Sequence, residues 1–383
     1  MLRAVAALAA GKIVLLVDDR EDGAAGYLVF AAELASCELL AFAVRHSAGY
    51  VCVSLPEDIA DQLQIPAMCY PGQDPRRLDY GVTVDASTGI TTGISARDRA
   101  YTIRRLASHD ALASDFNRPG HVVPIRAKAG GVITRAQPPE AIVDLAAMAG
   151  LRPLGGLTQL VSESNQVEMA QGDELVHFAE RHGLALLSIA SLFAYRWRHE
   201  KLVRRVAEAR IPLSAGLFTA VGYTVAVEGR SHVAFVHGDV ADGLNVPVYV
   251  HLECLTGDVF ESTTCACRAR LTAALNVIAA EGSGAVLYLR PSAAGSNAMM
   301  CHERYDLPTA SVNTDGCTLR DAAQILNNLS VRSVRLLTND STPKAALERA
   351  GITVTGQVNL VRARSAPHTD FRQPSVAVGK AAG

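Results

Sequence analysis

At 383 residues the chain exceeds the usual size of one domain, and 49% apolar residues suffice for two sizeable cores. A formal net charge of −2 and only 5% aromatic residues exclude the concentrated basic face and the stacking platforms that general nucleic-acid binding requires.

The opening MLRAVAALAAGKIVLLVDD reads as helix, turn and strand. It resembles a signal peptide only in its early Arg3 and its apolar run, because it lacks a cleavage site and passes straight into KIVLLV. No stretch reaches the roughly 18 uninterrupted apolar residues of a membrane span. The expectation is a cytoplasmic protein whose cysteines are reduced thiols or metal ligands. YVCVSL reads as a second strand, while PEDIADQLQI, RDRAYTIRRLAS and PEAIVDLAAMAG have helical spacing. Cys37, Cys52 and Cys69 stand among apolar neighbours and read as small buried thiols.

From 186 to 210, LLSIASLFAYRWRHEKLVRRVAEAR predicts one long helix ending before Pro212. Its charged second half suits a helix crossing from one domain to the next. Beyond it SHVAFVHG, PVYVHLE and AVLYLR read as strands around the helix RLTAALNVIAAEG. RDAAQILNNLS, SVRLLTND, PKAALERAG and ITVTGQV continue as helix, strand, helix and strand. This alternation predicts an α/β (α+β) architecture in two domains, 1–200 and 201–363, with 364–383 a flexible tail. No internal repeat is present.

The segment VHLECLTGDVFESTTCACRARL, 250–271, holds three of the eight cysteines. Cys265 and Cys267 are two apart, so a bent backbone can turn both sulfurs inward, and a loop can bring Cys254 alongside. Three thiolates around zinc leave the fourth tetrahedral position open, as in catalytic sites, unless His251 or another histidine closes it. On spacing alone, zinc and three unrelated thiols stand equally open.

ECLTGDVF, the Cys-Ala-Cys after it, AALNVIAAEGSGAVLYLR, AAQILNNLSVRSVRLLTN and AGITV together resemble GTP cyclohydrolase II. LVFAAELAS, FAVRHSAGYVCVSL, TTGISARDRAYTIR, SDFNRPGHVVPIRAKAGGVITR and EAIVDLAAMAGL are similar to 3,4-dihydroxy-2-butanone 4-phosphate synthase. The order is that of the fused bifunctional riboflavin-biosynthesis family, over roughly residues 5–362. The resemblance implies zinc on Cys254, Cys265 and Cys267, small-molecule substrates, and a homodimer.

Several family positions differ. Counted without gaps, the synthase's magnesium-binding glutamate falls on Gly23, a second glutamate on Ala25, and a substrate-contacting aspartate on Tyr27. The magnesium-binding histidine lies in the stretch that reads Ala136-Gln137-Pro138-Pro139 here, and a further glutamate aligns with Gln159. Arg135 matches a residue used near phosphate, and His121 is a candidate catalytic group with no carboxylate partner visible in sequence. In the second half the catalytic aspartate falls on Asp315 and its partner arginine on Cys317, with Arg320 close enough to substitute. Thr338 keeps a GTP-contact position, and Glu253 and His251 remain beside Cys254. A nucleoside triphosphate needs many cationic and amide donors, and several are replaced.

These departures lead to an expected divergent protein, with a synthase half inactive without Mg2+. Its Zn2+-dependent second half would act as a hydrolase or lyase on an altered heterocyclic or small amide-like substrate. Asp315 and Glu253 are its expected catalytic groups, with His121 in the first half; Arg135, His251, Thr338 and Arg320 are the expected substrate contacts. A scaffold with structural zinc is one alternative, and retained ancestral activity is the other.

Overall fold

The computed structural model describes residues 1–19, 24–68, 78–226, 229–240, 242–262, 265–290, 316–338 and 342–360, the side chains of 316–318 excepted. Asp315, Gly23 and the expected tail 364–383 therefore lie outside the described residues. The chain divides into two compact units, 1–200 and 201–383. Among the described residues no helix is long and apolar enough to cross a membrane.

The first unit runs α1 (Leu2–Ala9), β1 (Val14–Asp18), β2 (Ala25–Ala31), α2 (Cys37–Arg45), β3 (Cys52–Pro56), α3 (Glu57–Gln62), β4 (Asp79–Tyr80) and β5 (Val84–Ala86). It continues α4 (Ala96–Leu106), β6 (Phe116–Ala127), α5 (Pro138–Met148), β7 (Gly155–Gln159), α6 (Asp173–Arg181), β8 (Ala185–Ser188) and α7 (Ile189–His199). Its mixed sheet has the order β4-β6-β3-β7-β2-β1-β8, with β5 pairing β6. Successive side chains of a strand alternate faces, which explains the continuous apolar run at β1. Leu15 and Val17 join a core with Leu28, Phe30 and Phe178, whereas Val14 and Leu16 join another with Leu8, Val29 and Ile142. Each such Leu, fully buried, contributes about 1.5–3 kcal/mol.

The second unit runs β9 (Val203–Leu213), β10 (Gly216–Val225), β11 (Ser231–His237), β12 (Val246–Leu252), α8 (Leu255–Asp258) and α9 (Cys267–Glu281). β13 (Gly284–Leu289), α10 (Gly316–Asn328), β14 (Ser333–Leu337), α11 (Thr342–Arg349) and β15 (Thr353–Val358) complete it. The sheet order is β15-β14-β12-β13-β11-β10-β9. β12 to β15 pair parallel, and β9, β10 and β11 add antiparallel strands. Leu287 and Leu289 of β13 pack with Ala322 and Ile325 of α10. Val286, just before Leu287, packs on the opposite face with Ala274 and Ile278 of α9.

The single helix expected over 186–210 does not form. Ser188 accepts the Ser191 N–H (3.1 Å) and starts α7, which ends at His199. The charged half instead pairs along β10, from Val203↔Val225 to Leu213↔Gly216. Hairpin pairing overrides helical propensity here. As the last strand of its sheet, β9 keeps its arginines and glutamate exposed, which blunts an edge that would otherwise recruit other strands.

One buried carboxylate of the first unit carries a pH signature. Asp144 on α5 accepts the Val132 N–H (2.8 Å) and Arg196 Nη1 (2.7 Å), while Arg196 is shared with Glu200 (2.6 Å). Burial outweighs Arg196 and pushes the Asp144 carboxyl up to about 6. A folded-state value above the unfolded one stabilises the fold below the ordinary carboxylate range, and the benefit is lost as pH rises through about 6. Relative to Asp144→Asn, the wild type is expected to lose stability on the order of 3 kcal/mol between pH 4 and pH 7. Urea denaturation followed by Trp197 fluorescence checks this, and parallel pH curves for the two proteins would refute it.

Candidate metal centre

Parallel β12 and β13 place their C-terminal ends together, and the crossover between them carries all three cysteines. Cys254 is the residue preceding α8, and Cys267 is the first residue of α9. The positive end of the α9 helix dipole favours a thiolate there, and the Cys267 N–H bonds the Cys265 sulfur. The sulfurs of Cys254, Cys265 and Cys267 lie within 4.8 Å of one another, with Cys254 and Cys265 3.8 Å apart. Cys254 and Cys267 are buried. Burial pushes the Cys265 thiol up and the Cys254 sulfur adds to the shift, against hydrogen bonds at Cys267 that lower it. A divalent cation removes that cost, since it binds the deprotonated form. Gly257 floors the cluster. A Cβ there would stand 2.6 Å from Cys265 Sγ and 3.2 Å from Cys254 Sγ.

Asp258, one turn after Cys254, organises the wall behind the thiols. Its Oδ2 accepts the Cys254 N–H (2.9 Å), the Tyr288 hydroxyl (2.9 Å) and His251 Nε2 (2.9 Å). His251 therefore carries its proton on Nε2, and its Nδ1 faces the Tyr249 hydroxyl at 3.3 Å. His251 also stacks on Tyr288, centroids 5.2 Å apart. Burial works to raise the Asp258 carboxyl, but the bonds from His251, Cys254 and Tyr288 hold it below the ordinary range. Burial and the neighbouring Asp258 raise the Tyr288 phenol. Nothing in sequence singled out Asp258; the only signal was a carboxylate four residues after a candidate ligand. Asp258→Asn is expected to weaken zinc binding by about ten- to a hundredfold through the loosened Cys254 backbone. Competition with a zinc chelator measures it.

The other expected residues of this unit are distributed more widely. Glu253 donates its N–H to the Leu289 carbonyl (2.8 Å), and its carboxylate pairs with Arg290 (3.4 Å). Arg320 is half-buried on α10. Thr338 follows β14, donating its N–H to the Val358 carbonyl (2.9 Å) and accepting from Gln357 (3.0 Å). Asp315 lies outside the described residues, as does the Cys317 side chain. A second buried network escaped sequence reading. The Arg290 N–H donates to His232 Nδ1 (3.1 Å), so His232 Nε2–H donates to Asp321 (3.0 Å), which also pairs with Arg230 (3.1 Å).

In the first unit His121 has the carboxylate partner that its sequence neighbourhood lacks. His121 Nδ1 lies 2.6 Å from Asp85 Oδ2, and its N–H donates to Asp85 Oδ1 (3.0 Å). This arrangement fixes the Nδ1–H tautomer and leaves Nε2 as the acceptor nitrogen. The His121 side chain is 41% exposed and that of Asp85 10%. Gly93, at φ 87°, lets its loop lie against the pair: a Cβ there would stand 2.2 Å from Asp85 Oδ2. Arg135 is largely buried and binds Glu140 (2.6 Å), Asp79 (3.3 Å) and the Arg126 carbonyl (3.2 Å). Pro138 and Pro139 begin α5, and Ala136 packs against the core beside them.

Residues 2–195 match the family described as 3,4-dihydroxy-2-butanone 4-phosphate synthase, and residues 204–359 match GTP cyclohydrolase II. The chain is 50% identical to riboflavin biosynthesis protein RibBA of Nocardia farcinica, over 94% of this chain and 89% of that protein. It is 48% identical to RibBA of Mycobacterium tuberculosis, over 95% and 89%. It is also similar to the crystal structure of RibBX, a two-domain 3,4-dihydroxy-2-butanone 4-phosphate synthase from A. baumannii. That likeness has a TM-score of 0.71 and 30% identity, covering 93% of this chain and 98% of that one. Identity of one residue in two along nearly the whole length, with both family matches in order, overturns the expected divergent protein with an inactive synthase half and an altered substrate. The expectation rested on ungapped counting, partly through 20–23 and 291–315, which lie outside the described residues, and it missed Asp85 beside His121.

Proposed function

We propose that this chain, which belongs to the fused 3,4-dihydroxy-2-butanone 4-phosphate synthase and GTP cyclohydrolase II family, is an enzyme of riboflavin biosynthesis. The observation that carries this reading is the gathering of Cys254, Cys265 and Cys267 at the C-terminal end of β12, in the unit that matches GTP cyclohydrolase II. The three sulfurs suit zinc in number and type, and zinc bound there supplies hydroxide from water near neutral pH. Asp258 keeps Cys254 in place through its N–H, and His251 keeps Asp258 in place. Glu253 and Asp315 are assigned proton transfer and Thr338 and Arg320 substrate contact, whereas the buried His251, with both ring nitrogens engaged, positions Asp258 instead of meeting substrate.

In the first unit His121 Nε2 is the group assigned to move a proton from a phosphorylated sugar, with Asp85 stabilising the imidazolium that results. Arg135, which by resemblance matches a residue used near phosphate, orders the 126–140 segment through Glu140. The expectation against magnesium falls with the inactive-synthase reading from which it came. The homodimer implied by the resemblance belongs to the same proposal.

The full chain, supplied with zinc, is assayed for formate and pyrophosphate release from GTP, and separately with ribulose 5-phosphate and magnesium for formate. Cys265→Ala is expected to abolish the GTP reaction and spare the sugar-phosphate reaction, and His121→Ala to do the reverse. Failure of the wild type to release formate in both assays would overturn the proposal.

A further inference from the structure

Away from the thiol cluster and the His121–Asp85 pair, the first unit brings together two imidazoles and a carboxylate. One ligand atom from each of His46, Glu163 and His182 lies within 4.8 Å of the others. His46 directly follows α2 and His182 directly follows α6. The carbonyl ends of two helices therefore lie beside the cluster, and their partial negative charge favours a cation.

The geometry between the groups is informative. His182 Nε2 is buried and has no hydrogen-bond partner. It stands 3.9 Å from Glu163 Oε1, too far for a hydrogen bond. A buried imidazole nitrogen left unsatisfied costs stability. Two ligands of one tetrahedral ion, each about 2.0–2.1 Å from it, stand about 3.3 Å apart. A shift of a few tenths of an ångström on each side therefore turns this gap into a shared coordination bond.

The parts are also held for that purpose. Phe42 lies 4.5 Å from the His46 ring and 5.2 Å from the His182 ring, and Phe178 lies 4.4 Å from His182, centroid to centroid. The rings are thus packed in place in apolar surroundings before any ion arrives. Glu163 sits in a loop whose N–H groups and Ser162 hydroxyl converge on Glu174 Oε1, the Glu163 N–H at 2.6 Å. Arg181 pairs with the other Glu163 oxygen, Oε2, and leaves Oε1 toward His182.

We propose that His46, Glu163 and His182 form a second metal site that takes Zn2+ through two imidazole nitrogens and one carboxylate oxygen. Imidazole with carboxylate suits zinc and its first-row neighbours better than magnesium or calcium, which prefer all-oxygen shells. The ion ties the ends of α2 and α6 to the 161–169 loop, so its role is to staple the first unit.

The test uses the full chain, stripped of metal and dialysed against Zn2+ alone, in a Cys265→Ala background so that the thiol cluster is disabled. That protein is expected to retain one tightly held zinc, which disappears when Glu163→Gln is added. Glu163→Gln preserves the shape of a partly exposed side chain and so leaves the fold intact. Cobalt replacing this zinc is expected to give ligand-field bands without the thiolate charge-transfer absorption. Retention of the zinc in the Glu163→Gln protein, absence of zinc from the Cys265→Ala parent, or a thiolate band in its cobalt form would each overturn the proposal.

Discussion

Gly257→Ala is expected to cost the thiol cluster its metal while leaving the second unit folded. The added methyl carbon would stand 2.6 Å from Cys265 Sγ, 3.1 Å from Cys267 Cβ and 3.2 Å from Cys254 Sγ. Sulfurs at the ends of rotatable side chains can retreat from it, so the fold accommodates the change. A ligand set cannot retreat in this way, because tetrahedral zinc requires sulfurs about 2.3 Å from a common centre. Gly257 lies within α8, where alanine is favoured over glycine by about 1 kcal/mol, so local propensity does not work against the variant. Zinc held through the thiolates should weaken by about a hundredfold or more. The cobalt–thiolate absorption should vanish with it, and formate release from GTP should fall to the level of Cys265→Ala. Undiminished thiolate absorption in Gly257→Ala would contradict this account of the cluster's floor.

The second large effect concerns stability. Asp321→Ala is expected to destabilise the second unit by about 3–5 kcal/mol, because it strips a buried pair of its anion. The Asp321 side chain is 1% exposed and joins Arg230 from the segment before β11 with His232 within it. Its loss leaves the Arg230 charge in low-dielectric surroundings, and His232 Nε2–H without its acceptor. The effect reaches the strand ends, since His232 Nδ1 accepts the Arg290 N–H just after β13. Trp197, the single tryptophan, belongs to the first unit. Its fluorescence therefore reads the first unit, and far-ultraviolet ellipticity in a urea titration is the measurement that reads the loss in the second. An ellipticity transition unchanged within about 0.5 kcal/mol would refute a paired role for Asp321.

The long, periodic elements were legible because local pattern and tertiary demand agree in them. KIVLLV is apolar on both strand faces, and β1 is buried on both faces by two separate cores. RLTAALNVIAAEG and RDAAQILNNLS became α9 and α10 for the same reason. The stretch from 201 to 210 was misread because its charges at helical spacing carry no information about an available neighbouring strand. Pairing with β10 decides its state, and that partner is a matter of topology.

By itself, the sequence determined the two-unit α/β plan, the family, and the three thiols, since these rest on contiguous blocks and short spacings. Tertiary structure decided which groups act in pairs. Asp85 lies 36 residues from His121, Asp321 lies 89 residues from His232, and Glu163 meets His46 across most of a domain. A carboxylate's effect on an imidazole falls off over a few ångströms, and chain separation says nothing about that distance. Only the sheet registers and helix ends that close those gaps could assign each histidine its partner.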